Sequence, residues 1–209
     1  MLTKEHLVSW LKACYGIYEE QRQYLTQLDT AIGDADHGNN MYRGFNKVHS
    51  QLDSHADKDC GALLKAVAMT LISTVGGASG PLYGTFFLQA GTKAGSRTEL
   101  SVSETAEMLQ AGLDGLKMRG KASVGDKTMI DTMEPAVNAF KAEAAESGTL
   151  LPALAKAVEA GKKGMESTIP LVAKKGRASY LGERSREHQD PGATSAYLML
   201  NALKQSVES

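Results

Sequence analysis

Residues 28–38 read LDTAIGDADHG and place Asp29, Asp34 and Asp36 within eight positions, beside His37 and two glycines. Each ionised carboxylate in such a group raises the cost of ionising the next. The crowding therefore calls for a compensating charge. Hard oxygen ligands suit Mg²⁺ or Ca²⁺, and Mg²⁺ commonly takes few protein carboxylates, completing its octahedron with water and phosphate. Gly33 and Gly38 give the chain the freedom to fold back so that all three carboxylates converge. An EF-hand is the rival metal reading, because Asp34-x-Asp36 starts like one. It fails at loop position 6, which is Asn39 instead of Gly, and at position 12, which is Phe45 instead of Glu. A plainer alternative stays open here: Asp and Gly also meet in turns that merely cap helices, and a lone His37 is more often a surface or satisfied histidine than a ligand contact.

Further chemistry sits in glycine-rich connections. VGGASGPLYG, residues 75–84, joins one apolar helix to the next, with Ser79 reading as an N-cap and Pro81 in the first turn. A helix N-terminus with free N–H groups behind Gly76 and Gly77 can take an oxyanion such as phosphate. QDPGATS offers a second such place, Asp190 as N-cap and Pro191 as first helical residue, although a well-capped helix needs no ligand. GKASVGDKT, residues 120–128, nearly matches the phosphate-binding pattern G-x-x-x-x-G-K-[ST], but Asp126 intervenes and the preceding segment reads as helix instead of strand, so a Walker-type site is rejected. Residues 174–188 concentrate Lys174, Lys175, Arg177, Arg184 and Arg186, either as a solvated loop or as a flap that lays the Arg177 fork over phosphates. Together these parts can hold and transfer a phosphoryl group, a chemistry made mostly of positioning and charge neutralisation.

The elements that must position these residues are helices. Leu7, Trp10, Leu11, Cys14, Ile17 and Tyr18 share one face of a helix expected to start after Thr3 and to run to about Leu28, with Asp29 at its exit. Similar stripes predict helices at about 40–54, 64–75, 80–94, 102–119, 131–146, 150–166 and 196–203, the one after Ser101 opened by a Ser101-x-x-Glu104 capping box. Strand patterning is thin. The expectation is an all-α fold, an eight-helix antiparallel up-and-down barrel or bundle, formed as a single domain over residues 1–209. The longer connections, 29–39, 119–130 and 174–191, are those expected to carry function.

Composition narrows the function classes. With 23 basic and 24 acidic residues the net charge is −1, so no positive field favours nucleic acid or an anionic membrane. Cys14 and Cys60 form no CxxC pair and read as reduced, buried thiols. The N-terminus lacks a continuous apolar signal segment and no apolar run approaches the roughly 18 residues of a membrane span, which makes a cytoplasmic protein the expectation.

GDADHGNNM, TLISTVGGASGPLYGTFF, RGKASVGDKTM and KGRASYLGERSREHQDPGATS resemble, in order and along essentially the whole chain, the signature stretches of the nucleotide-binding L subunits of dihydroxyacetone kinases. The resemblance implies an eight-helix barrel with ADP or ATP bound at one end through Mg²⁺, expected as two ions. Position by position it implies magnesium ligands at Asp29, Asp34 and Asp36. It implies nucleotide contacts at His37, Gly38, Asn39 and Asn40, at Ala78 and Ser79, at Gly120 and Met129, at Arg177, and at Asp190, Pro191 and Gly192. Arg177 is the candidate catalytic group, placed with Ser79 across the phosphates from the aspartates. A chain of this length leaves no room for a substrate domain, which takes 50 residues or more, and so resembles the phosphotransferase-system branch of the family. There, bound ADP accepts a phosphoryl group from a phosphohistidine on the M subunit and passes it to dihydroxyacetone held on the K subunit. Two alternatives remain: a separate subunit of an ATP-dependent kinase for dihydroxyacetone or a related sugar, and a nucleotide-sensing module that docks on a transcription factor.

Overall fold

Thr3 starts the first helix as the sequence predicts: its side chain accepts the His6 N–H while the His6 ring accepts the Thr3 N–H, a reciprocal cap. The computed structural model describes residues 1–55 and 57–208. Nine α-helices are described in it: α1 (Lys4–Glu20), α2 (Arg22–Ile32), α3 (His37–Gln51), α4 (Cys60–Thr74), α5 (Ser79–Ala94), α6 (Val102–Gly120), α7 (Met129–Ser147), α8 (Leu150–Ser167) and α9 (Pro191–Glu208). Short 3₁₀ segments occupy Leu52–His55 and Arg177–Ser185, and two-residue strands β1 (Leu2–Thr3) and β2 (Glu99–Leu100) pair antiparallel.

The helices form the expected ring. α1 packs on α3, each helix from α3 to α9 packs on the next, and α9 closes against α1. Seven of these nine helices match predicted segments, and the first two, α1 and α2, share one predicted segment. The first helix, expected to continue to about Leu28, instead ends at Glu20, and α2 runs through Asp29 to Ile32. The break is mild, because Gln21 N–H still bonds to the Ile17 carbonyl and Gln21 carbonyl accepts from Leu25. Counting α1 and α2 as one bent rod recovers eight.

Apolar stripes face the ring interior, as the periodicity requires. Trp10, Tyr18, Phe45, Phe86, Phe87 and Phe140 are all at most 1% exposed. Tyr18 lies 4.8 Å from Phe45 and Trp10 5.4 Å from Phe87, centroid to centroid, within the range at which tilted aromatic pairs add to burial. Polar handles are satisfied across the ring: Trp10 Nε1 donates to the Met199 carbonyl at 2.8 Å and the Tyr18 hydroxyl to the Ser195 carbonyl at 2.8 Å. Both bonds fasten α1 to α9, which is how the ring closes. Cys14 and Cys60 are buried, and burial pushes both thiols up, Cys60 to about 11, so neither is a nucleophile at neutral pH. Among the described residues, no helix is long and apolar enough to cross a membrane.

Candidate phosphate and metal site

The alternating direction of the ring decides what meets at one end. α3, α5, α7 and α9 all begin there, and α2, α4 and α6 end there, around a cavity of about 920 Å³ lined by His37, Ser79, Met129 and Pro191 from the four starts. Each helix N-terminus carries N–H groups without a partner inside the helix and a partial positive charge of about +0.5. Four of them on one cavity favour an anionic ligand with several oxygens.

On the cavity wall stands the aspartate turn. Ligand oxygens of Asp29, Asp34 and Asp36 lie within 4.8 Å of one another. Asp29 is in the last turn of α2, a consequence of that helix running past its predicted exit. Its Oδ2 accepts from the Asp36 N–H at 2.8 Å and the His37 N–H at 3.0 Å, so it caps α3 from another helix. Asp36 holds the N-cap position of α3 yet makes no cap bond with its side chain. Gly33 makes the approach feasible, since a Cβ there would sit 1.9 Å from Asp29 Oδ1. Between the other two aspartates, Ala35 has φ 60°, a left-handed conformation that costs a non-glycine residue about 1–2 kcal/mol. The strain sits where two carboxylates are turned to one side. Capping thus accounts for one oxygen of Asp29 and leaves Asp36 uncommitted, while the three oxygen donors fit a small hard cation such as Mg²⁺.

Arg177 reaches the same turn. Its Nε lies 2.9 Å from Asp34 Oδ2, so the guanidinium rests on the aspartates instead of facing them across the cavity, as expected of the nearest cation to an ionised carboxylate. Gly176 at φ 66° turns the chain into the Arg177–Ser185 segment. Ala173, Ala178 and Leu181 pack on Ile32 at the end of α2. That small cluster brings the flap to the metal turn.

Ser79 departs from its predicted role. Ala78 holds the cap position of α5 without a side-chain cap bond, and Ser79 is the first helical residue, because Ala78 already has helical φ and ψ. Its hydroxyl lies 3.1 Å from His37 Nδ1, while His37 Nε2 lies 2.8 Å from Ser195 Oγ. Ser195 donates to the Gly192 carbonyl at 3.1 Å and lies 2.7 Å from the Tyr83 hydroxyl. A hydroxyl has one proton to give, so Ser195 must accept from both Tyr83 and His37. His37 is then a neutral Nε2–H imidazole whose Nδ1 accepts from Ser79. Burial pushes the His37 pKa down against the pull of Asp29 and Asp36, which agrees with the neutral form.

The remaining predicted residues fall as follows. Asn40, Ala78, Gly120, Met129, Asp190, Pro191 and Gly192 line the cavity. Arg43 holds Asn40, donating Nη2 to its Oδ1 at 2.7 Å and Nε to the Thr74 carbonyl at 2.8 Å. Gly38 and Asn39 do not line it. Gly38 lets α3 cross α2, where a Cβ would meet the Arg22 carbonyl at 2.0 Å, and exposed Asn39 accepts from Arg22 Nε at 2.6 Å. Ser195 and Tyr83, which set the His37 tautomer, lie inside the QDPGATS and VGGASGPLYG stretches, but nothing in their residue types or spacing signals a contact with His37. Lys127 follows the Asp126 that breaks the Walker pattern, and its sequence neighbours give no sign of its role.

Asp190 caps α9 as predicted, accepting the Ala193 N–H at 2.7 Å. Burial pushes its pKa from 3.8 to about 7, against the Ala193 bond and nearby Lys127 that lower it. The folded state therefore holds a proton that the unfolded chain has lost, and stability falls as pH rises from about 4 to about 7. Asp190→Asn keeps a capping oxygen without an ionisation. In ligand-free protein we expect the variant's stability advantage to grow by roughly 2 kcal/mol between about pH 5 and 8, at about 1.4 kcal/mol per pKa unit. Thermal melts at a series of pH values check this, and a difference independent of pH would contradict it.

Comparison with known proteins bears on this geometry. The model of the DAK2 domain matches residues 31–205. The chain is 48% identical over 202 residues to the ADP-binding subunit of the PEP-dependent dihydroxyacetone kinase of Escherichia coli, covering 97% of this chain and 96% of that one. It is 41% identical over 205 residues to the ADP-binding subunit of the PTS-dependent dihydroxyacetone kinase of Lactococcus lactis, covering 98% of each. Among solved structures, the dihydroxyacetone kinase of C. freundii in complex with AMP-PNP and Mg²⁺ superposes with a TM-score of 0.73 at 26% identity. That match covers 95% of this chain and 33% of the longer one, so the present chain spans about a third of that kinase.

Proposed function

This chain belongs to the DAK2 domain family, and from that premise we propose that it is the ADP-binding subunit of a phosphoenolpyruvate-dependent dihydroxyacetone kinase. Bound ADP accepts a phosphoryl group from the phosphohistidine of an M subunit, and the phosphoryl group passes on to dihydroxyacetone on a K subunit. The observation that carries the reading is the convergence of three carboxylates and four helix N-termini on one cavity. A cavity of about 920 Å³ also falls in the range, about 300–1,000 Å³, of small-ligand sites.

Within this reading the roles divide by chemistry. Asp29, Asp34 and Asp36 hold magnesium, which neutralises charge on the phosphates. The starts of α3 (His37, Asn40), α5 (Ala78, Ser79), α7 (Met129) and α9 (Asp190, Pro191, Gly192), with Gly120 at the end of α6, hold the nucleotide, while Gly38 and Asn39 seat α3 against α2 outside the cavity. Arg177 leaves Asp34 for the transferring phosphoryl group, where its fork of donors matches the charge spread over the oxygens. Ser79, its proton held by His37, keeps its position at the mouth of α5. We assign residues 1–209 to one nucleotide-binding helical unit working in the cytoplasm beside its phosphoryl donor.

The test concerns how the nucleotide is used. Protein loaded with labelled ADP and mixed with phosphorylated M subunit, K subunit and dihydroxyacetone should keep its label through many turnovers in excess unlabelled ATP. Loss of the label at the rate of turnover would assign the chain to an ATP-dependent kinase.

A further inference from the structure

Lys127 is 1% exposed, at the end of the 121–128 connection and in a left-handed conformation with φ 63°. Its ammonium donates to the carbonyls of Thr168 at 2.7 Å, Leu171 at 3.1 Å and Ile169 at 3.4 Å, and to that of His188. Three of these carbonyls lie where the chain leaves α8, and the fourth lies just ahead of α9. Between them run residues 172–187, the flap that carries Arg177.

Burying an ammonium is costly unless its donors are used, and here three N–H groups are shared by four acceptors. Burial pushes the Lys127 pKa down while nearby Asp190 and Asp131 oppose the shift. A compact charge with rotatable donors suits such a cage, where the planar fork of arginine does not. Two backbone bonds meet at the same place: Glu187 N–H donates to the Ile169 carbonyl at 2.8 Å, and Lys174 N–H to the carbonyl of Asp126, the neighbour of Lys127, at 3.1 Å. Farther out the flap is open, with the Arg177 side chain 67% and Tyr180 89% exposed.

We infer that Lys127 is a positioning residue, a latch that fastens both feet of the 172–187 flap to the 121–128 connection, holding Arg177 over the aspartate turn and slowing escape of the bound nucleotide. The last part rests on the nucleotide reading above. The first part does not.

The test uses the full chain with Lys127→Met, which removes every donor, and Lys127→Gln, which restores two. Without nucleotide, limited trypsin digestion after Lys174, Lys175, Arg177 or Arg184 should run at least about tenfold faster in Lys127→Met, because cleavage follows the population of the opened flap. Lys127→Gln should fall between, and both should unfold near the wild-type temperature. With Mg²⁺, ADP should dissociate at least about tenfold faster from Lys127→Met at an unchanged association rate, since lost contacts are read mostly in the off-rate. Wild-type cleavage and dissociation rates in Lys127→Met would overturn the proposal. Failure of both variants to fold would also overturn it, by assigning Lys127 to the ring instead of the flap. Faster cleavage in a protein whose wild type binds no ADP would keep the latch and refute the nucleotide reading.

Discussion

Asp34→Ala is expected to weaken Mg²⁺-dependent ADP binding by at least about 100-fold, roughly 2.8 kcal/mol at about 1.4 kcal/mol per decade, and to leave thermal unfolding nearly unchanged. The two halves of this prediction follow from different contacts. Asp34 supplies one of three oxygens that lie within 4.8 Å of one another, and magnesium held by few carboxylates depends heavily on each. Its other contact, the ion pair with Arg177, joins side chains that are 35% and 67% exposed, and exposed pairs contribute about 0–1 kcal/mol. Asp29 makes a poorer test. Its carboxylate also caps α3, and removing it orphans two N–H groups, so Asp29→Ala loses stability together with affinity. Calorimetric titration of ADP with and without Mg²⁺, alongside a melt, separates the two effects. An Asp34→Ala protein that binds ADP as the wild type does would remove this residue from the metal site.

Arg177→Ala is expected to slow phosphoryl transfer to dihydroxyacetone by about a thousandfold, the lower end of what an arginine on a transferring phosphoryl group contributes. ADP affinity should change far less, by under about tenfold, because the helix N-termini and the cation carry ground-state binding. Arg177→Lys should rescue little, since a point charge lacks the two-pronged donor geometry. Single-turnover transfer in the reconstituted complex, with ADP binding measured in parallel, reads the split. Wild-type transfer in either variant would leave Arg177 as a surface residue that happens to meet Asp34.

The legible part of this fold was the part written in one helix face. Leu7 to Tyr18, Leu64 to Val75 and Ala196 to Leu203 each report a buried stripe, and short connections between stripes dictate an antiparallel ring. The bend at Gln21 has no proline or glycine to announce it, and the backbone bonding is almost continuous across it. Its consequence reaches the site, because it ends the first helix early and lets the next carry Asp29 inward. Convergence of the aspartates was legible from their spacing, and Asp190 as a cap from the proline behind it.

What stayed hidden depends on contacts between distant residues. His37 and Ser195 are 158 positions apart, and Lys127 reaches carbonyls 41 to 61 positions away. Backbone acceptors leave no mark on the residue type that supplies them. Periodicity also says which face of a helix is buried and nothing about which ends gather at one cavity, so the sequence suggests anion-binding N-termini at Ser79 and Pro191 where the ring assembles four. Ser79 shows the limit of motif reading, since a serine two residues before a proline has the look of a cap while its hydroxyl serves His37.

The account stands most directly on whether the chain carries its nucleotide. Protein purified in the presence of Mg²⁺, denatured with acid and analysed by chromatography of the supernatant should release ADP at about one molecule per chain, as a coenzyme shared between three carboxylates and four helix N-termini requires. A chain that releases no nucleotide, and takes up none when ADP and Mg²⁺ are added back, would contradict it.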